Sequence, residues 1–245
     1  MAASELQIAQ KRQGVDVGSP CAACSIREMS ICAALDNSEL SRMAAIARTQ
    51  SFAGRQTIVD EGEPADSLFN ITSGAVKLYK LLPDGRRQIT GFLFEGDFLG
   101  IALNDDYAYT AEAVNDVTLC RFPKARFEAL LEEFPKLEKQ LLEVASNELA
   151  QAQDQMLLLG RKTAQEKVVS FLLSLSKRSH ARGAPASPIS LPMSRADIAD
   201  YLGLTTETVS RTFTSLKGSD AIRLLAGNSV ALENFESLSE LADGI

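Results

Sequence analysis

One histidine, four cysteines and no long apolar run set the first limits on this 245-residue chain. The lone histidine, His180, lies in a stretch rich in Ser, Pro, Ala and Gly and reads as a solvated surface residue. A haem held by a protein histidine is therefore not expected. No apolar run reaches the roughly 18 residues of a membrane span, which argues against a membrane partner. Residues 1–20 mix Gln, Lys, Arg, Asp and Gly and lack the apolar core of a signal peptide. The expected location is cytoplasmic, where thiols stay reduced and a disulfide framework is the weaker reading of the cysteines. No nucleophile–base arrangement and no flavin or nicotinamide fingerprint stands in the sequence, so an enzyme is not expected.

What is present suffices for two modest domains, since 45% of the residues are hydrophobic. The net charge of −7 is unevenly spread. Residues 1–160 carry 15 Lys/Arg against 23 Asp/Glu, whereas residues 161–245 carry 10 against 9. A near-neutral second part is compatible with DNA binding if its cations cluster on one face, so net charge decides nothing.

Residues 1–20 read as a flexible tail, followed by the cysteine segment and a short helix over 36–49 capped by Asn37 or Ser38. From Ser51 to Phe122 the pattern becomes short strands punctuated by glycine: Gln56–Asp60, Ser67–Thr72, Ala75–Leu82, Arg87–Phe94, Phe98–Leu103 and Thr110–Phe122. Such spacing predicts an all-β barrel or sandwich. Residues 124–160 follow as one long helical pattern, with Pro135 at a kink or a fresh start. Within it Leu142, Ala145, Leu149, Ala152, Met156 and Leu159 recur at heptad spacing, which suits a partner helix. A second row, Leu137, Leu141, Val144 and Leu158, suits the β domain. Thr163–Lys177 reads as another helix, and residues 179–192 as a loop. The expected domains are a tail (1–20), a cysteine segment plus β sensor domain (21–125), a dimerisation helix (126–162) and a DNA-binding domain (163–245).

Residues 193–217 carry the sharpest local signal. Met193–Leu202 reads as a short helix capped by Ser194, Gly203 as a tight turn, and a second helix starts at Thr205 or Thr206. Val209, Phe213 and Leu216 fall on its inner face, while Glu207, Ser210 and Arg211 share the outer one. This pattern predicts a helix-turn-helix whose second helix enters the major groove of double-stranded DNA. Arg211 suits guanine O6/N7, Glu207 a cytosine amine, and Ser210 a base or a phosphate. Two short strands flanking Ala226-Gly227-Asn228 add a wing.

The cysteines form a second pattern. Cys21 and Cys24 stand two residues apart, Cys32 follows after seven more, and Cys120 is distant. Four thiolates suit a tetrahedral zinc or a cubane iron–sulfur cluster. Structural zinc sites usually draw ligands as two close pairs, which the solitary Cys120 does not match. Thiols that merely pack are the third reading, as the apolar strand around Cys120 suggests.

Together the glycine-punctuated strands with Gln88-Ile89-Thr90-Gly91-Phe92 and Gly96-Asp97, the long helix, and Glu207-Thr208-Val209-Ser210-Arg211 resemble the Crp–Fnr family of transcription regulators. Within it the chain is most similar to the FNR-type (FnrN/FixK-like) oxygen sensors. The resemblance implies an α+β fold: a cyclic-nucleotide-binding-like β-roll, a long dimerisation helix and a C-terminal winged helix-turn-helix. It implies a homodimer that holds a [4Fe–4S] cluster on Cys21, Cys24, Cys32 and Cys120, is active at low oxygen and binds a TTGAT-type palindrome. The implied DNA-reading residues are Thr206, Glu207, Ser210 and Arg211. The turn at Asp84, Gly85 and Arg86 would contact RNA polymerase, or is a plain solvated tip. A nucleotide-binding relative needs an arginine to clamp the phosphate, and no arginine lies between Arg87 and Arg121. A cyclic nucleotide is therefore not expected. Some oxygen-labile members carry an acidic residue in the dimer seam; here Ala152 lies among uncharged neighbours. A cluster-free or zinc-bound regulator of the same fold, answering another signal, is the alternative.

Overall fold

A computed structural model describes residues 21, 24–101 and 105–244. The tail expected over 1–20 lies outside them. The chain separates into two compact units. The first comprises the described residues up to Lys80 together with Gly91–Glu148; the second comprises Leu81–Thr90 and the chain from Leu149 onward.

Eight strands lie between Arg48 and Pro123: β1 (Arg48–Phe52), β2 (Thr57–Val59), β3 (Ser67–Ser73), β4 (Val76–Leu81), β5 (Arg87–Leu93), β6 (Phe98–Leu99), β7 (Thr110–Ala113) and β8 (Val117–Pro123). They form two four-stranded sheets, ordered β1-β8-β3-β6 and β2-β7-β4-β5. Thr110–Phe122, expected as one strand, is two. Asn115 and Asp116 turn the chain between them, with Asn115 Oδ1 accepting from Ala75 N–H (2.8 Å) and Asp116 Oδ1 from Gly54 N–H (3.1 Å). Strand β1 was not expected. Among the described residues it pairs with β8 alone, and its exposed and half-buried Arg-Thr-Gln-Ser-Phe sequence carries no clear apolar alternation. Strand β6 stops earlier than expected because Gly100 adopts φ 97°, and a Cβ there would lie 2.8 Å from the Ser67 carbonyl oxygen.

Helix α1 (Asn37–Ile46) is capped by Asp36 rather than by Asn37 or Ser38. Asp36 accepts from the Ser38 and Glu39 amides, and Glu39 reaches back to Asp36 N–H. Helix α2 (Lys124–Glu133) ends before Pro135, which opens α3 (Pro135–Arg161) as a fresh start. Leu137 of α3 is fully buried with Leu40, Met43, Phe98, Phe122 and Phe127. The three phenylalanines pack as tilted rings 5.6 and 5.8 Å apart. Burying each contributes roughly 1.5–3 kcal/mol.

In the second unit α4 (Ala164–Ala181) starts at a Thr163/Glu166 capping box and runs four residues beyond the expected Lys177. Helices α5 (Arg195–Leu202) and α6 (Thr206–Gly218) follow. A three-stranded sheet of order β10-β11-β9 comes from β9 (Ile189–Ser190), β10 (Ile222–Leu225) and β11 (Ser229–Leu232). Residues 179–192 are thus not purely loop: Ile189 is buried and pairs with Val230. A final helix, α7 (Phe235–Asp243), has its Ala242 carbonyl held by Lys162 at 2.8 Å. None of the described helices is long and apolar enough to cross a membrane.

Candidate nucleic-acid interface and thiol site

The α5–turn–α6 geometry follows from its caps. Ser194 Oγ accepts from Asp197 N–H, and the Asp197 carboxylate accepts from Ser194 N–H (both 3.1 Å). Gly203 closes α5 in the left-handed region at φ 61°, where a side chain is disfavoured. Thr205 Oγ1 accepts from Thr208 N–H (3.1 Å) and starts α6. Val209, Thr212, Phe213 and Leu216 are buried, which turns Thr206, Glu207, Ser210 and Arg211 outward, all exposed. Arg211 and Glu207 are ion-paired at 2.6 Å with side chains 80% and 71% exposed. Ser210 donates to the Thr206 carbonyl at 2.8 Å. The outer face of α6 therefore presents a cation, a carboxylate and hydroxyls, the donor and acceptor set that reads base edges.

Three side chains that sequence spacing does not reveal fasten α5. The Arg87 guanidinium donates to Asp200 Oδ2 from Nε (2.9 Å) and Nη2 (2.8 Å), and to Asp197 Oδ1 (3.0 Å). Gln88 Nε2 donates to the Asp200 carbonyl (2.7 Å), and Gln155 Nε2 to the Tyr201 carbonyl (2.9 Å). These carbonyls belong to the last turn of α5, where intrahelical partners run out. The Arg195 guanidinium lies 3.3 Å from the centre of the Phe213 ring, tying α5 to α6.

The turn before Arg87 carries Asp84, Gly85 and Arg86. Arg86 Nε donates to Asp84 Oδ2 at 2.8 Å, with side chains 76% and 53% exposed. Hydrogen bonds from Arg86 backbone and side chain hold the Asp84 carboxyl below its ordinary range.

The cysteines draw together in the first unit. Cys32 is buried in a 3-10 turn (Ile31–Ala34) begun by Ser30, whose Oγ accepts from Cys32 N–H. Arg27 anchors the segment, donating to Asn37 Oδ1 (2.9 Å) and the Leu35 carbonyl (3.0 Å). Cys21 and Cys120 pack against the cluster that contains Cys32. Burial, and then the charge of Cys21, push the Cys32 thiol up to about 12, with Cys24 and Cys120 adding to the effect. Burial, then Cys21 and Cys24, push Cys120 up to about 11. The fold thus brings Cys21 and Cys120, distant in the chain, to the core around Cys32. Among the described residues, no three His, Cys, Asp or Glu side chains form a group that could hold a metal ion. A residue that spacing did not single out, Asn70, lies opposite Cys120 in the β3–β8 ladder.

On the expected dimer seam, Leu142 (69%), Leu149 (61%) and Met156 (68%) are exposed, Ala152 is exposed, and Ala145 and Leu159 are half-buried. The second row divides differently. Leu137, Leu141 and Val144 pack against the core of the first unit, and Leu158 is half-buried.

Residues 49–134 match the cyclic nucleotide-binding domain, and residues 166–241 match the Crp-like helix-turn-helix domain. The chain is 46% identical over 210 residues to the nitrogen fixation regulation protein FixK of Bradyrhizobium diazoefficiens, covering 86% of this chain and 89% of that protein. It is 36% identical over 226 residues to the transcriptional activator protein FnrL of Cereibacter sphaeroides, covering 91% of each. The solved structure of FixK2 from Bradyrhizobium japonicum superposes with a TM-score of 0.75 at 38% identity, covering 80% of this chain and 97% of that one. With the winged helix-turn-helix and its outward-facing polar helix, these similarities place the chain in the Crp–Fnr family, as a DNA-binding transcriptional activator of the FNR/FixK type and not an enzyme.

Proposed function

We propose that this activator is oxygen-responsive: a cytoplasmic homodimer that holds a [4Fe–4S] cluster on Cys21, Cys24, Cys32 and Cys120. The observation that carries the reading is that Cys21 and Cys120, far apart in the chain, pack against the one buried core that contains Cys32. The donor set fits the group: four soft sulfur ligands, with no histidine or carboxylate required. When bound, the cluster supplies an oxygen-labile iron centre. The chain's own part is to gather the thiols, shield Cys32 from water and release the protons that the raised thiol pKa values retain. Arg27 would pass order at the thiol site to α1 through Asn37 and Leu35.

On the output side, the exposed apolar seam of α3 would pair with a second copy. Such a stripe suits a coiled-coil interface better than it suits water. Two α6 helices would then enter successive major grooves of a TTGAT-type palindrome, with Thr206, Glu207, Ser210 and Arg211 against the bases. The exposed Asp84-Gly85-Arg86 tip is available to RNA polymerase.

Protein purified without oxygen should be brown, absorb near 400 nm, carry about four irons per chain and bleach in air. A colourless chain holding one zinc would overturn the reading. Arg211→Ala should lose binding to the palindrome, and unchanged affinity would remove Arg211 from base reading. A second reading, a cluster-free regulator of the same fold, is favoured by the absence of a ready metal-holding group among the described residues. The iron content of the anaerobic protein separates the two.

A further inference from the structure

Among the described residues, one fully buried side-chain atom lacks a hydrogen-bond partner: Oδ1 of Asn70. Asn70 is 2% exposed, in the middle of β3. Other buried polar side chains of the first unit are provided for. Ser67 bonds Asp66 and Arg121, Lys77 pairs with Glu112, Thr110 accepts from Glu61 N–H, and Ser30 bonds the Arg27 carbonyl. A buried amide oxygen without a donor is costly, and an apolar residue such as its neighbours Leu68 and Ile71 would avoid that cost.

The position of Asn70 supplies a reason for it. In register, Asn70 stands opposite Cys120 on one side and Phe98 on the other. Directly opposed residues of antiparallel strands project from the same face, about 4.5–5.5 Å apart at Cβ. The next pair on that face, Leu68 and Phe122, belongs to the core that contains Cys32. The Asn70 amide therefore shares its face with Cys120, and the next pair on that face packs into the core that contains Cys32.

We infer that Asn70 is a positioning residue of the thiol site, its side-chain amide reserved for the sulfur of Cys120. The inference rests on the iron–sulfur reading above. An amide carries an acceptor at one end and donors at the other, and it turns about its Cβ–Cγ bond. A metal-held thiolate has no hydrogen to offer and accepts from Nδ2. Asn70 can thus donate to Cys120 once that sulfur is held as a thiolate, which an aliphatic residue cannot. An N–H donated to the thiolate draws electron density from the sulfur, and such outer partners tune metal affinity and redox behaviour.

Asn70→Leu, nearly the same in size, gives opposite effects in the two forms of the full chain. Without iron, losing an orphaned amide should raise the thermal midpoint by about 2–4 °C. After anaerobic reconstitution with iron and sulfide, the 400 nm absorbance should bleach in air about tenfold faster than in the wild type. The iron–sulfur stretching bands in the Raman spectrum should shift as well. Asn70→Ser, which keeps a donor and an acceptor, should bleach at a rate nearer the wild type. Bleaching of Asn70→Leu at the wild-type rate would overturn the inference. So would destabilisation of both forms alike by either variant, since that marks a packing role only. A wild-type chain that takes up no iron would overturn the iron–sulfur reading, and this inference with it, before any variant is compared.

Discussion

Removing Arg87 tests how the DNA-reading helix pair is held. The guanidinium makes three charge-assisted hydrogen bonds to Asp197 and Asp200. Arg87 is 27% exposed in its side chain, Asp197 10% and Asp200 33%. A fully buried pair broken on one side costs about 3–5 kcal/mol. A solvent-exposed pair contributes roughly 0.2–1 kcal/mol. Asp197 keeps its bonds from Ser194 after the change, and Asp200 can turn to water, so the cost lies between these limits, at about 2 kcal/mol. Expressed wholly as misplacement of α5, that amounts to about a thirtyfold loss of DNA affinity. The change also leaves two carboxylates uncompensated within the DNA-binding helix pair, so the loss should be larger at low salt. The assay is fluorescence anisotropy of full-length, anaerobically purified Arg87→Ala on duplexes recovered from a random pool by the wild type, at two salt concentrations. Arg87→Lys, which keeps the charge and loses the two-pronged geometry, should fall between. Equal affinity of Arg87→Ala and wild type at low salt would refute the reasoning.

Three further outcomes follow from the same geometry. Ala152→Asp sets two carboxylates against each other if the α3 seam pairs two copies. Sedimentation should then show dimer dissociation rising at least about tenfold, less so at high salt; no change would put Ala152 outside the interface. Gly203→Ala forces a side chain into the left-handed region at φ 61° and should destabilise the helix-turn-helix by about 1–2 kcal/mol, seen as a lower thermal midpoint. Glu148 is pushed up to about 7 by burial and then by the charge of Asp97. Its folded form keeps a proton that the unfolded chain releases near pH 4.5, so stability falls as pH rises from that value through about 7. Because Glu148 is exposed overall, the effect is discounted to below about 1 kcal/mol. Glu148→Gln should flatten the midpoint-versus-pH curve across that window and be the more stable protein above pH 7; parallel curves would remove Glu148 from the account.

Local chemistry made much of this fold legible. Ser194, Gly203 and Thr205 fix where α5 and α6 begin and end, because caps and left-handed turns depend on residues within one helical turn. The glycine-punctuated strands showed in the same way, as did the fresh start at Pro135. Strand β1 escaped notice because an edge strand with one neighbour does not require apolar alternation. Strand β9 escaped because two residues carry no period. Its place depends on Val230, forty residues later.

The amino-acid sequence by itself determined the class of the molecule. The outer face of α6 is spaced by the helical period, and the four cysteines are countable, so a DNA reader and a candidate thiol site are legible in the chain itself. Tertiary structure alone decided which of these groups meet. Arg87 reaches Asp197 and Asp200 across more than a hundred residues of chain, and Asn70 meets Cys120 only through the register of β3 and β8. Ion pairs, ring stacking and cross-strand neighbours depend on distance through space, and periodicity along a chain carries no record of it. The orphaned oxygen of Asn70 is the extreme case: in the sequence it is one more polar residue in a strand, and only burial makes its missing partner a question.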